Sequence, residues 1–143
     1  MNYFFIFIHF FLIKTYFLLG DGMTYLMKYG KAFLFFLGSL MILLLLLNTL
    51  SYFNVIGNGF VKGFSYVIFF VSYFISGFVN GKYSKKKGWL EGLKFGFILL
   101  TFIQLINFLI FKSSFSFPYL IFEIISLLVI VFGSMIGINK KNN

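Results

Sequence analysis

Four long stretches of this chain are almost free of charged side chains, and they constrain its fold more than any other feature. They cover residues 32–50, 64–79, 95–111 and 119–138, and Glu123 is the one side chain inside them that is charged at neutral pH in water. An α-helix rises about 1.5 Å per residue, so about 20 residues cross the roughly 30 Å of bilayer hydrocarbon. A soluble helix bundle would need a polar face on each helix. The sequence therefore predicts an all-α, polytopic membrane four-helix bundle made of two helical hairpins.

The lysines predict how the bundle is oriented. All twelve basic residues are Lys, and eleven of them flank the four stretches. Cytoplasmic loops carry an excess of Lys and Arg, so the side with more lysines is expected inside. That side would carry Lys28, Lys31, Lys82, Lys85, Lys86, Lys87, Lys94, Lys140 and Lys141, against Lys62 and Lys112 on the other. We expect both ends of the four-span unit inside (N-in/C-in) and a multi-pass protein of the plasma membrane.

The first residues form a separate apolar segment. We divide the chain into an N-terminal apolar extension, residues 1–26, and a four-span membrane domain, residues 27–143. Lys14 and His9 oppose insertion of the extension into the membrane. The free energy of inserting it as a fifth span is therefore marginal. Two interpretations stay open: the extension is an extra membrane-spanning segment, or translation starts at Met23 or Met27 and the earlier residues are not made.

Glycines recur at helical spacing around the centre and end of the chain. Small residues that share a helix face let two helices in a membrane approach closely. We predict a helix-packing role for Gly77, Gly81, Gly88, Gly92, Gly96, Gly133 and Gly137. The pattern does not decide between packing inside one chain, which we favour, and packing between two copies of it.

Three polar side chains fall inside the predicted spans. Glu123 is a functional candidate because ionisable residues in membranes are costly, although it lies near the outer helix end, where the helix dipole stabilises a carboxylate. Coupling to protons or cations is the alternative role. Gln104 and Asn107 lie in the third span, where amides usually hydrogen-bond across helices. Lining a permeation path is their alternative role.

A basic loop is expected over residues 80–94. Its lysines, which are Lys82, Lys85, Lys86, Lys87 and Lys94, suit topology setting or contact with anionic lipid. Glu91 is expected to make a local ion pair with Lys87 or Lys94 at helical spacing. The loop is too short to offer a folded basic surface, so the expected partner is the lipid bilayer and not a nucleic acid.

The composition argues against enzymatic chemistry. The chain has no Cys and a single His. Its three acids, Asp21, Glu91 and Glu123, lie on different segments, so no carboxylate pair or metal cluster is expected. We expect no enzyme activity, no bound metal and no cofactor.

Two segments resemble a known family. These are Ser76-Gly77-Phe78-Val79-Asn80-Gly81-Lys82, continued by Lys87–Gly96, and the ending Phe132–Asn139. They are similar to the YrzE-like family of small four-span membrane proteins from Gram-positive bacteria, over residues 27–141. The resemblance implies four spans and the plasma membrane, and it implies no activity.

Two functions fit this pattern best, and a membrane-permeabilising protein of the holin type fits it less well. We expect an integral membrane protein that acts through helix–helix contacts, as a scaffold or as a subunit of a membrane assembly. It would associate with itself or with another membrane protein. The alternative is a small oligomeric transporter or channel.

Overall fold

Four long helices make up most of the chain. The computed structural model describes residues 22–85, 87–112 and 116–142. The helices are α1 (Gly22–Tyr52), α2 (Asn58–Lys82), α3 (Gly88–Phe111) and α4 (Phe117–Asn142). Each is long and apolar enough to cross a membrane. The predicted all-α, four-span architecture is confirmed, and the chain is a multi-pass membrane protein. The prediction for residues 1–26 falls mostly outside the described residues, although residues 22–26 already belong to α1.

The helix ends follow from local backbone chemistry. After α1, Asn54 takes a left-handed conformation with φ 54°, which Asn tolerates better than most residues. Gly57 is extended just before α2. At the end of α3, Lys112 is also left-handed, with φ 46°. Such short connections reverse the chain, so consecutive helices are antiparallel, whereas α2 and α4 run in the same direction.

Helix α2 is the central element of the bundle. It packs against α1 and, most extensively, against α4, while α3 packs mainly against α4. Helices α1 and α3 also meet through side chains, because the ring of Tyr29 stacks on Phe95 and that of Phe33 meets Phe102 edge-on. The helices thus follow one another around the bundle in the order α1, α2, α4, α3.

The buried side chains gather at one end of the bundle. We call the half next to the loop between α2 and α3 the loop end, and the opposite half the open end. In α2 the first buried residue is Ile68, and in α3 the last is Leu99. In α4 the first is Ser126, whereas α1 has one buried residue near the open end, Leu47. The bundle is therefore tightly packed at the loop end and loosely packed at the open end.

The expected basic loop is much shorter than its composition indicated. Helix α2 continues to Lys82 and α3 already begins at Gly88, so only residues 83–87 connect them. The prediction of a loop over residues 80–94 is wrong. Glycine and lysine lower the hydropathy of these helix ends without ending the helices, because the end of a membrane helix extends beyond the hydrocarbon.

Candidate functional site

Four glycines bring α2 and α4 into backbone contact. A Cβ atom on Gly77 would collide with the carbonyl oxygen of Ile130, and one on Gly81 with that of Ser134. The contacts are reciprocal, because a Cβ on Gly133 would collide with the carbonyl oxygen of Phe74. A Cβ on Gly137 would likewise collide with the carbonyl oxygen of Phe78. Only glycine allows two parallel helices to approach this closely.

The three glycines of α3 lie against the same helix. A Cβ on Gly88 would lie 2.6 Å from Cγ2 of Ile138, and one on Gly92 would lie 2.9 Å from Cβ of Ser134. At Gly96 the nearest atom, Cδ1 of Leu127, would be 3.2 Å away. All seven predicted packing glycines thus make contacts within one chain, which leaves none of them on the outer surface for a partner.

An acid that the sequence placed in a loop is buried at the loop end. Glu91 lies in the first turn of α3 and is 2% exposed. Its Oε2 accepts a hydrogen bond of 2.5 Å from Nζ of Lys28, 63 residues earlier on α1 and itself 6% exposed. Tyr29 donates to the same oxygen at 3.4 Å. The expected local ion pair with Lys94 is present, with Nζ of Lys94 3.9 Å from Oε1, whereas Lys87 makes no ion pair among the described residues. The closer partner, Lys28, is an addition that local helical spacing does not predict.

Two further bonds connect the helices at this end. The side chain of Asn80, on α2, donates to the backbone carbonyl of Glu91 at 3.1 Å. Nζ of Lys141 donates to the carbonyl of Ser84 at 3.3 Å, which joins the end of α4 to the loop. Together with the Lys28–Glu91 pair, these bonds join α1, α2 and α3 to one another and join α4 to the loop between α2 and α3.

A groove lies between α3 and α4 towards the open end. Its volume is about 580 Å³. Apolar side chains of both helices line most of it, and the polar side chains are Thr101, Gln104 and Glu123. The groove exists because the glycine contacts hold α3 close to α4 only up to Gly96, beyond which the chain places large residues such as Phe97 and Phe108.

The three polar residues predicted inside the spans are divided between two places. Gln104 and Glu123 line the same groove, although they are on different helices. Oε1 of Gln104 is buried and has no hydrogen-bond partner within the described residues. Asn107 instead donates a hydrogen bond of 2.6 Å to the hydroxyl of Tyr119. The groove therefore brings together two of the three polar residues predicted inside the spans, Gln104 and Glu123.

The lysines of the predicted basic loop remain at the surface of the loop end. Lys82, Lys85, Lys87 and Lys94 are exposed, and Lys86 lies outside the described residues. Their common location is compatible with either predicted role, the setting of topology or contact with anionic lipid.

Two residues of the loop end were missed from the sequence. In the sequence, Lys28 is one of many lysines that flank a span, and Asn80 is part of a glycine-containing segment with no evident partner for its amide. A signal for Glu91 was present, because Gly88, Glu91, Gly92 and Phe95 follow the spacing of a single helix face. That spacing indicates burial of Glu91, and burial requires a counter-charge.

The family of the chain follows from a comparison with protein-family models. DUF3792, described as a protein of unknown function, matches residues 25–137. The chain belongs to this family. The matched region includes all seven packing glycines, the Lys28–Glu91 pair and the groove, so all three features lie within the family's domain. No curated protein and no solved structure matches the chain.

Proposed function

We propose that the protein is a small transporter-like membrane protein that takes an apolar molecule sideways from the bilayer into the groove between α3 and α4. The groove itself is the observation that supports this proposal. Its volume of about 580 Å³ falls within the range of small-molecule sites, which are mostly apolar with a few polar groups that orient the ligand.

The uneven packing of the bundle also supports a ligand site of this kind. At the loop end, glycine contacts and buried polar bonds join the helices. Towards the open end, α3 and α4 enclose the groove, and the hydrogen bond between Asn107 and Tyr119 joins them near its outer limit. A bundle that is packed at one end and open at the other has the asymmetry of a substrate pathway that is closed on one side.

The second candidate is a subunit that docks another membrane helix. The polar groups of the groove support it, since Gln104 and Glu123 would face lipid if nothing covered them, and polar side chains stabilise helix association in membranes. The glycines no longer argue for this function, because they are used within the chain.

Photolabelling with azi-adamantane, an apolar carbene precursor, tests the proposal in reconstituted nanodiscs. Ile124 lines the groove, whereas Ile125 is next to it at nearly the same depth and does not. We expect labelling to concentrate on groove residues, to fall several-fold in Ile124→Trp, which fills the groove, and to be unchanged in Ile125→Trp.

The proposal would be refuted if labelling were spread evenly over all lipid-facing positions and did not differ between the two variants. That result would mean that the groove holds ordinary lipid. Labelling of the groove that disappears at a high ratio of protein to lipid would instead favour the helix-docking subunit, because a second protein would then compete for the same space.

A further inference from the structure

We infer that the ligand of the groove carries a positive charge: it is an apolar ammonium compound whose nitrogen binds at Glu123. This inference rests on the proposed function, because it names the substrate class of the same groove. It is carried by the contrast between the two acids of the described helices, by the hydrogen-bonding groups of the groove and by the shape of the apolar space around them.

The chain neutralises one of these acids and leaves the other without a counter-charge. In residues 22–85, 87–112 and 116–142, both ion pairs involve Glu91, which has Lys28 and Lys94 within 4 Å. Glu123 makes no ion pair with the described lysines. A carboxylate within a membrane is costly unless a cation accompanies it, so an incoming ammonium group would be favoured at Glu123.

The hydrogen-bonding groups of the groove also suit an ammonium ligand. The carboxylate of Glu123, which lines the groove, only accepts hydrogen bonds when it is ionised. An alkylammonium group only donates them. Towards the open end, the ring of Phe108 also lines the groove, and aromatic faces attract cations.

The position of Glu123 sets how the ligand would lie. Glu123 is six residues after the start of α4, which places it about 9 Å along the helix. Leu127, one turn further towards the loop end, also lines the groove and lies against Gly96. The ammonium group would thus lie towards the open end and the hydrocarbon body towards the glycine contacts. A compact hydrocarbon cage fits within about 580 Å³.

The test uses aminoadamantane, which is a cation at neutral pH, and uncharged adamantanol of the same shape. Because the chain has no Cys, Leu120→Cys provides a single thiol in the groove. Ile121→Cys is the control, since it lies at nearly the same depth outside the groove. In nanodiscs, each ligand is titrated while the thiol reacts with uncharged methyl methanethiosulfonate. The control position corrects for the ligand's partition into lipid.

We expect aminoadamantane to protect Leu120→Cys at a concentration at least about tenfold lower than adamantanol does, and to leave Ile121→Cys unprotected. Adding Glu123→Gln should abolish this preference without changing the effect of adamantanol, whereas Glu123→Asp should keep part of it. A tenfold change corresponds to about 1.4 kcal/mol of binding free energy. Thermal unfolding followed by circular dichroism checks that each variant is folded.

The two proposals fail in different ways. Equal protection by both ligands would refute the inference that the ligand is positively charged, and would leave groove binding intact. A preference for aminoadamantane that survives Glu123→Gln in the folded protein would have the same meaning. Protection by neither ligand would overturn groove binding and the proposed function with it. Protection that grows with the ratio of protein to lipid in the absence of ligand would assign the groove to a second copy of the chain.

Discussion

The buried pair between Lys28 and Glu91 offers the sharpest test of how the bundle is held together. We consider Lys28→Met, Glu91→Gln and the double variant. Each single change leaves one charged group buried without its principal partner, because the two side chains are only 6% and 2% exposed. The double variant leaves no such charge. The pair therefore predicts strongly non-additive losses of stability.

The magnitude follows from the contacts that remain. Breaking a buried ion pair from one side usually costs about 3–5 kcal/mol. After Lys28→Met, Glu91 keeps the Tyr29 hydroxyl at 3.4 Å and Lys94 at 3.9 Å. After Glu91→Gln, the ammonium of Lys28 keeps the rings of Tyr25 and Tyr29, at 4.7 and 4.8 Å. We therefore expect each single variant to lose about 3 kcal/mol of the free energy of unfolding, and we expect the double variant to lose no more than that.

The assay is equilibrium unfolding from dodecyl maltoside micelles by added dodecyl sulfate, followed by far-ultraviolet circular dichroism. The double-mutant cycle should give a coupling energy of about 3 kcal/mol. Lys31→Met is the control, because Lys31 is exposed and its ammonium lies 4.7 Å from the centre of the Tyr83 ring. We expect Lys31→Met to lower the free energy of unfolding by less than about 1 kcal/mol.

Additive losses, with a coupling energy below about 0.5 kcal/mol, would refute the reasoning. They would mean that the two charges do not depend on each other for their stability. Water at the loop end would then solvate each charge separately, and the connection of α1 to α3 would rest on aromatic contacts such as Tyr29 with Phe95.

Two further predictions concern the glycines and the orientation. Gly133→Ala places a methyl group against the carbonyl oxygen of Phe74, so it should destabilise the protein by about 1–3 kcal/mol in the same unfolding assay. The added methyl group of Gly63→Ala has no atom of the described residues within 4 Å, so this variant should be neutral or stabilised by up to about 1 kcal/mol; equal effects of the two variants would contradict close packing. For the orientation, an impermeant thiol reagent added to intact cells should label Asn54→Cys and reach Lys85→Cys only after permeabilisation. The reverse pattern would invert the predicted topology.

The sequence predicts the number and type of the helices well, because the bilayer imposes a length and an apolar composition on each span. The positions of the helix ends are predicted less well. Helix α1 begins at Gly22, ten residues before the apolar stretch at residue 32, and α3 begins at Gly88, seven residues before residue 95. Hydropathy measures the part of a helix inside the hydrocarbon and is insensitive to polar turns that continue it into the interface.

Only part of the candidate functional site can be predicted from the sequence. Helical spacing indicates that the glycines share faces, but it does not show which helix each face meets. The pairing of Lys28 with Glu91 joins residues 63 positions apart, and it depends on α1 and α3 being neighbours in space. Likewise, Gln104 and Glu123 belong to different spans, and only the packing of α3 on α4 brings them into one groove.

The position of the glycine contacts along α3 has a mechanical consequence. Gly96 is the last of these contacts, and Phe111, fifteen residues later, ends the helix. That length is roughly 22 Å, so a tilt of about 10° pivoting at Gly96 would displace the far end of α3 by about 4 Å. A change in angle that hardly alters the backbone contacts near the pivot would thus widen or narrow the mouth between the two helices by about the diameter of a methyl group.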